Sequence, residues 1–247
     1  MVRPIDSVDT VFIEELTWLE VRDALKAGKK TVIVPSGGVE MNGPYLATGK
    51  HNYILRGTSE AIARKFGNAL VAPIIPFVPE GDIAPPTSHM RYPGTISVRE
   101  ETFRALLTDI AASLKAHGFE HIFFIADSGG NVKGMQSVAD DLAAKWQGKP
   151  TIHYIKEYYN YPEVLKWIES QGVALKPPEH HDDLAITSQM MVVDPNTVRM
   201  KQRMAKGLFS INGVDLAPEE KTVAFGRKVI EHRAGIAVAA MKKALGR

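Results

Sequence analysis

The chain contains no cysteine among its 247 residues. This single absence removes disulfides, cysteine-ligated zinc, iron–sulfur clusters and thiol nucleophiles from consideration, although it leaves the cellular compartment open. Runs of like charge are missing too, and 30 Lys and Arg against 28 Asp and Glu leave a net charge of +2. Aromatic residues make up only 8% of the chain and interleave with no basic stripe. Nucleic acid and an anionic membrane surface are therefore not expected as partners. No stretch approaches the ~20 apolar residues of a membrane-spanning helix. Asp6 and Asp9 fall where a secretory leader needs an apolar core. A soluble cytoplasmic protein is expected, or a periplasmic one if a leader was trimmed.

What the chain does have is an apolar fraction of 45%, enough at this length to bury one sizeable core, so a single domain over residues 1–247 is the expectation. Thr17 and Glu20 read as a capping box ahead of apolar Val21 and Leu25, and this first helix ends near Gly28. Thr31 to Val34 reads as a buried strand emptying into Gly37 and Gly38. A helix from His51 to Phe66 follows, then strand pieces broken by proline between Ala69 and Val78. Pro79 to Gly94 is rich in proline and glycine and reads as a long functional loop. Glu100 to His117 is helical by the spacing of Phe103, Leu107, Ile110 and Leu114, and His121 to Ala126 is the clearest buried strand. Helices to about Trp146, from Pro162 to Ser170, from Leu184 to Val193 and from Thr222 to Leu245 complete the pattern, with a strand at Thr151 to Ile155. Such alternation predicts an α/β fold with a mostly parallel sheet covered on both faces.

In open parallel sheets, ligands collect where the carboxyl ends of the strands meet helix N-termini. The polar residues with chemistry to offer fall at those points. Glu40, Asn42 and His51 follow the first strand; Ser88, His89 and Arg91 lie in the long loop; Asp127 and Ser128 follow the buried strand; His180 to Asp183 open a late helix. Each also has a plain reading. Asp182 or Asp183 can be a helix cap, and His89 and His180 can be surface groups on loops. Glu40, by contrast, sits among glycines that give a carboxylate no structural task. Gly129 and Gly130 let the backbone turn tightly after the strand and bare its N–H groups as an anion or oxyanion cradle, although many α/β turns use such a pair. Lys50, Arg91 and Tyr45 could contact a polar ligand or simply face solvent.

Four separated stretches together resemble the creatininase family: Glu40-Met41-Asn42-Gly43-Pro44-Tyr45-Leu46 with His51; Tyr92-Pro93-Gly94-Thr95; Asp127-Ser128-Gly129-Gly130-Asn131; and His181 through Ser188. The resemblance implies a three-layer α/β sandwich, a homo-oligomer that is often a hexamer, and a two-metal zinc or manganese site that hydrolyses amide or cyclic amide C–N bonds. Its metal-holding positions correspond here to Glu40, Asn42, His51, Ser128 and Ile186. Only Glu40 is retained. Asparagine and serine are weak zinc ligands and isoleucine is none, so the expectation is that the two-metal site is absent and that at most one zinc or manganese ion is held, by Glu40, His51 and Asp183.

Catalysis is expected from Glu40, His181, Asp127 and Ser128, with Asn42, Tyr45, His89, Gly129, Gly130 and Asn131 contacting a small-molecule substrate. Four routes stay open. One is hydrolysis with a single ion, and one uses Ser128 as nucleophile with His51 or His181 as its base. The third is metal-free acid–base chemistry, as in an isomerase, lyase or lactonase, and the last is ligand binding without catalysis.

Overall fold

A computed structural model describes residues 1–173, 182–211 and 213–247. His180 and His181 lie outside the described residues. Four strands, β1 (Thr31–Ser36), β2 (Ala69–Val71), β3 (His121–Ala126) and β4 (Thr151–Tyr154), form one sheet in the order β2-β1-β3-β4. Every pairing in it is parallel, with Val32 opposite both Leu70 and Ile122. The connections are helices: α1 (Trp18–Lys26) precedes β1, α2 (Lys50–Phe66) follows it, and α3 (Glu100–Ala116) and α4 (Gly129–Trp146) flank β3. Then come α5 (Tyr161–Ser170), α6 (Leu184–Val193), α7 (Met200–Ala205), a hairpin of β5 (Ser210–Ile211) with β6 (Val214–Asp215), and α8 (Glu219–Ala244).

Strand alternation sends successive side chains to opposite faces, and both faces here are apolar. Val32, Val34, Leu70, Ile122 and Phe124 pack against Phe103 and Leu107 of α3 and Met135 and Val138 of α4. Ile33, Val71, Phe123 and Ile125 pack against Leu55 and Ile62 of α2 and Ala234, Ala237 and Met241 of α8. The result is the expected three-layer arrangement, helices over sheet over helices. The capping box at Thr17 is present, with the Thr17 hydroxyl accepting from the Glu20 N–H and the Glu20 carboxylate accepting from the Thr17 N–H at 2.8 Å. Among the described residues, no helix is long and apolar enough to cross a membrane.

Two departures from the sequence reading matter. Only Ala69–Val71 forms a strand; after it the chain touches the sheet through a single bridge, Ser36 with Ile75, and then pairs Val78 with Ser97 of the loop before α3, which carries Pro79 and Glu80 over the carboxyl ends of the strands. The segment holding α7 and the hairpin has short elements and no sustained period, so it was not foreseen.

α6 packs against both α2 and α8. The approach to α8 is close enough that a Cβ on Gly226 would lie 2.1 Å from the Ser188 carbonyl oxygen. Alanine favours a helix over glycine by about 1 kcal/mol. Gly226→Ala is nevertheless expected to destabilise the fold by roughly 1–3 kcal/mol through overpacking, read as a lowered urea midpoint. An unchanged or raised midpoint would show that α6 and α8 part freely.

Candidate active site

The carboxyl ends of β1 and β3 and the N-terminus of α2 meet at one point, bringing Glu40, Lys50, His51, Asp127 and Ser128 together around a cavity of about 560 Å³. Pro79 and Glu80 close one wall of it, and glycines make this possible. A Cβ on Gly38 would lie 2.0 Å from the Glu80 carboxyl, and one on Gly130 would lie 2.4 Å from the Pro79 carbonyl oxygen. The glycines after β1 and β3 therefore serve close approach of this loop as well as turning the backbone.

At the centre is a buried chain of charged groups. Asp127 Oδ2 lies 2.8 Å from His51 Nδ1, and His51 Nε2 lies 3.0 Å from Glu40 Oε1. Both carboxylates also have basic side chains against them. Lys50 Nζ is 2.9 Å from Glu40 Oε1, His89 Nε2 is 3.3 Å from Glu40 Oε2, and Arg233 Nη2 donates to Asp127 Oδ1 at 2.6 Å. The Tyr158 hydroxyl donates to the same Asp127 oxygen at 3.0 Å, and Arg233 Nη1 donates to Gln189 Oε1 at 3.0 Å.

These contacts set the ionisation. Burial alone would lower the His51 pKa, but its hydrogen bonds to Asp127 and Glu40 outweigh that and raise it, which favours the imidazolium. Burial opposes ionisation of Asp127 as well, yet the Arg233 charge and the His51 contact bring its pKa below the ordinary carboxylate value. Glu80 goes the other way. Burial first, and then the Glu40 charge and a hydrogen bond with it, push the Glu80 pKa up to about 9. A neutral Glu80 also accounts for its Oε1, which is buried with no hydrogen-bond partner.

Of the residues singled out in the sequence, Glu40, Lys50, His51, Ser88, His89, Asp127, Ser128, Gly129, Gly130, Asp183 and Ile186 line the cavity. Asn42, Tyr45, Asn131 and Arg91 do not. The Asn42 amide donates to the Glu40, Ala47 and Thr48 carbonyls, and the Asn131 amide donates to the Ser36 and Gly37 carbonyls, so both brace the backbone beneath the site. Tyr45 stacks under Arg203, whose guanidinium lies 4.4 Å from the ring centroid. Asp183 caps α6, accepting from the Ile186 N–H at 2.9 Å, and also accepts from the Tyr161 hydroxyl. That corrects its expected place in a metal trio with Glu40 and His51. Among the described residues, no group of three or more His, Asp or Glu side chains is arranged to hold a metal ion.

The chain matches the family model described as creatininase, creatinine amidohydrolase, over residues 14–237. It belongs to the creatininase family. A curated relative, the 3-dehydro-scyllo-inosose hydrolase of Thermotoga maritima, is 24% identical over 185 residues, covering 75% of this chain and 57% of the relative. The mycofactocin precursor peptide peptidase of Mycobacterium ulcerans is 25% identical over 123 residues, 47% of this chain and 46% of the relative. The chain thus spans about half the length of these two curated relatives. A solved structure described as "Creatininase Mn" superposes with a TM-score of 0.67 at 19% identity, covering 96% of this chain and 98% of that one, which is a likeness of fold.

Against the creatininase background, the groups that sequence reasoning missed are Glu80, Tyr158, Gln189 and Arg233. Arg233 left a readable signal: it falls on the apolar face of its helix, at i+4 from Val229 and i−4 from Ala237. An arginine there needs a buried anion, and Asp127 is that anion. Glu80 had no such signal, because its role depends on a loop path that no periodicity reveals.

The proton on Glu80 has a measurable consequence. Between 4.5 and about 9 the folded chain keeps a proton that an unfolded glutamate releases, so this group's stabilisation is complete at low pH and declines as pH rises through that window. Glu80→Gln removes the titration. Urea melts at several pH values are expected to show the variant gaining on the parent protein with rising pH. Parallel profiles for the two proteins would rule out a protonated Glu80.

Proposed function

We propose that this chain is a hydrolase acting on an amide, cyclic amide or lactone-type bond of a small polar molecule, at a centre without the two-metal site implied by the family resemblance. The observation that carries this reading is Glu40. It is buried, lines the cavity, and is held by Lys50, His51 and His89 at once. Membership in the creatininase family, and relatives named as a hydrolase and a peptidase, support the reaction class.

Two adjacent dications need several anionic or imidazole ligands, because their charges repel unless bridged. This donor set does not fit them. The Asn42 amide is spent on backbone carbonyls, Ser128 and Ile186 offer a neutral hydroxyl and a hydrocarbon, and ammonium and guanidinium groups already sit on Glu40 and Asp127. Chemistry is therefore assigned to the side chains. Glu40 takes the proton of an attacking water, and His51, gripped by Asp127, orients Glu40. Developing oxyanion charge falls to backbone N–H groups in the first turn of α4 beyond Gly129, whose own N–H donates to the Tyr159 hydroxyl. Glu80, which holds its proton at neutral pH, returns one to the leaving nitrogen or oxygen.

Ser128 is not assigned as nucleophile through His51, since both ring nitrogens of His51 face carboxylates. His181, expected beside the substrate, lies outside the described residues and keeps that role as a proposal. A second reading, acid–base chemistry without hydrolysis in an isomerase or lyase, is favoured by the contact between a protonated and an ionised carboxyl, Glu80 and Glu40. We also propose a single domain over residues 1–247 and a cytoplasmic location, and, from the family resemblance alone, a homo-oligomer, often a hexamer in that family.

A panel of lactones, cyclic amides and linear amides tests the reading. On any substrate turned over, Glu40→Gln is expected to lower kcat by roughly 10²–10⁴-fold. Ser128→Ala should keep kcat within about tenfold, and chelator should leave it unchanged. Turnover abolished by chelator and restored by zinc or manganese would overturn the metal-free assignment.

A further inference from the structure

We propose that Tyr159 is a further catalytic residue, its phenol O–H donating to the oxyanion that forms in the cavity beside the backbone N–H groups of α4. The proposal rests on the hydrolase reading above. It deepens that reading by naming a side chain that meets the developing charge.

Three tyrosines follow β4 within four residues, Tyr158, Tyr159 and Tyr161, and they divide by what their hydroxyls do. The Tyr158 hydroxyl lies 2.8 Å from Thr58 Oγ1 and donates to Asp127 at 3.0 Å. The Tyr161 hydroxyl donates to Asp183. Tyr159 is different. Its oxygen accepts from the Gly129 N–H, and among the described residues its own proton has no acceptor. Tyr159 lines the cavity and is 37% exposed, whereas Tyr158 is buried at 2%. The one tyrosine proton left without a protein acceptor therefore belongs to the ring that borders the substrate's space.

The placement depends on glycine. A Cβ on Gly129 would lie 3.0 Å from the Tyr159 hydroxyl oxygen, so a side chain at position 129 would crowd the phenol where it reaches the first turn of α4. Because the oxygen accepts from that N–H, the backbone donor is carried onward through the O–H, and hydrogen bonds linked in such a chain strengthen one another. The cavity needs this donor. Glu40 and Asp127 line the same space, and their charges repel an oxyanion unless fixed donors are aimed at it. Burial first, and then the Asp127 and Glu40 charges, push the Tyr159 pKa up, so the phenol keeps its proton and serves as a donor rather than a nucleophile.

Methylboronic acid is the probe, because its boron takes up hydroxide from water to give a tetrahedral oxyanion and releases one proton. By calorimetry on the full chain, the parent protein is expected to bind it, and Tyr159→Phe, which keeps the ring, to bind it roughly 10–100-fold more weakly. On any member of the substrate panel that is turned over, Tyr159→Phe should lower kcat by roughly 10–10³-fold while KM stays within about threefold. Circular dichroism should show the variant folded like the parent protein. A parent protein that does not bind the boronate overturns the proposal, as does a Tyr159→Phe variant that binds it equally well or whose loss of turnover lies in KM alone. Glu40→Gln keeps the two readings apart. Full turnover in Glu40→Gln with loss in Tyr159→Phe would remove the Glu40 base and leave the phenol, and the opposite result would remove the phenol and leave the base.

Discussion

A carboxylate buried in protein must be neutralised on the spot, and two of them, Glu40 and Asp127, stand at the middle of this molecule with His51 between them. Leaving either unpaired would cost several kcal/mol in desolvation. Each therefore has its own fixed cation, Lys50 on one side and Arg233 on the other. At the effective dielectric typical of protein sites, unit charges ~4 Å apart attract by about 4 kcal/mol, so the arrangement is strong enough to hold every member in place. The four elements that supply these groups, the β1 loop, α2, the β3 turn and α8, are thereby tied to one another through charge as well as apolar contact.

The same constraint explains how one scaffold can be turned to different chemistry. The sheet and its two helical layers position residues at the carboxyl ends of the strands whatever those residues are. Here positions 50 and 51 at the start of α2 set a lysine and a histidine against Glu40, above a parallel sheet packed by apolar side chains. The apolar packing and the polar constellation occupy separate positions of the chain.

That separation also decided what could be read from the sequence. Strands β1 and β3 and helices α2, α3 and α6 were legible because each carries an unbroken apolar period with a glycine or a cap at its end: Gly67 in the left-handed conformation closing α2, Asp183 opening α6. Glu40, His51 and Asp127 were legible as site residues because they follow buried strands. Asn42, Asn131 and Tyr45 sat at equally suggestive positions but turned inward to carbonyls or under Arg203, a choice made by local hydrogen bonding that spacing does not encode. Glu80 and Arg233 belong to the centre through contacts spanning tens of residues along the chain, for which no short motif exists.

Arg233 reaches Asp127 across 106 positions of sequence. During synthesis from the N-terminus, β1, α2 and β3 are all available long before α8 emerges. Until α8 docks, Asp127 and His51 face each other with half of their electrostatic partners missing, in a pocket still open to water on that side. The last helix therefore acts as a keystone: the centre reaches its working charge state only when the closing segment of the fold is laid down, which makes assembly of the site a late event by construction.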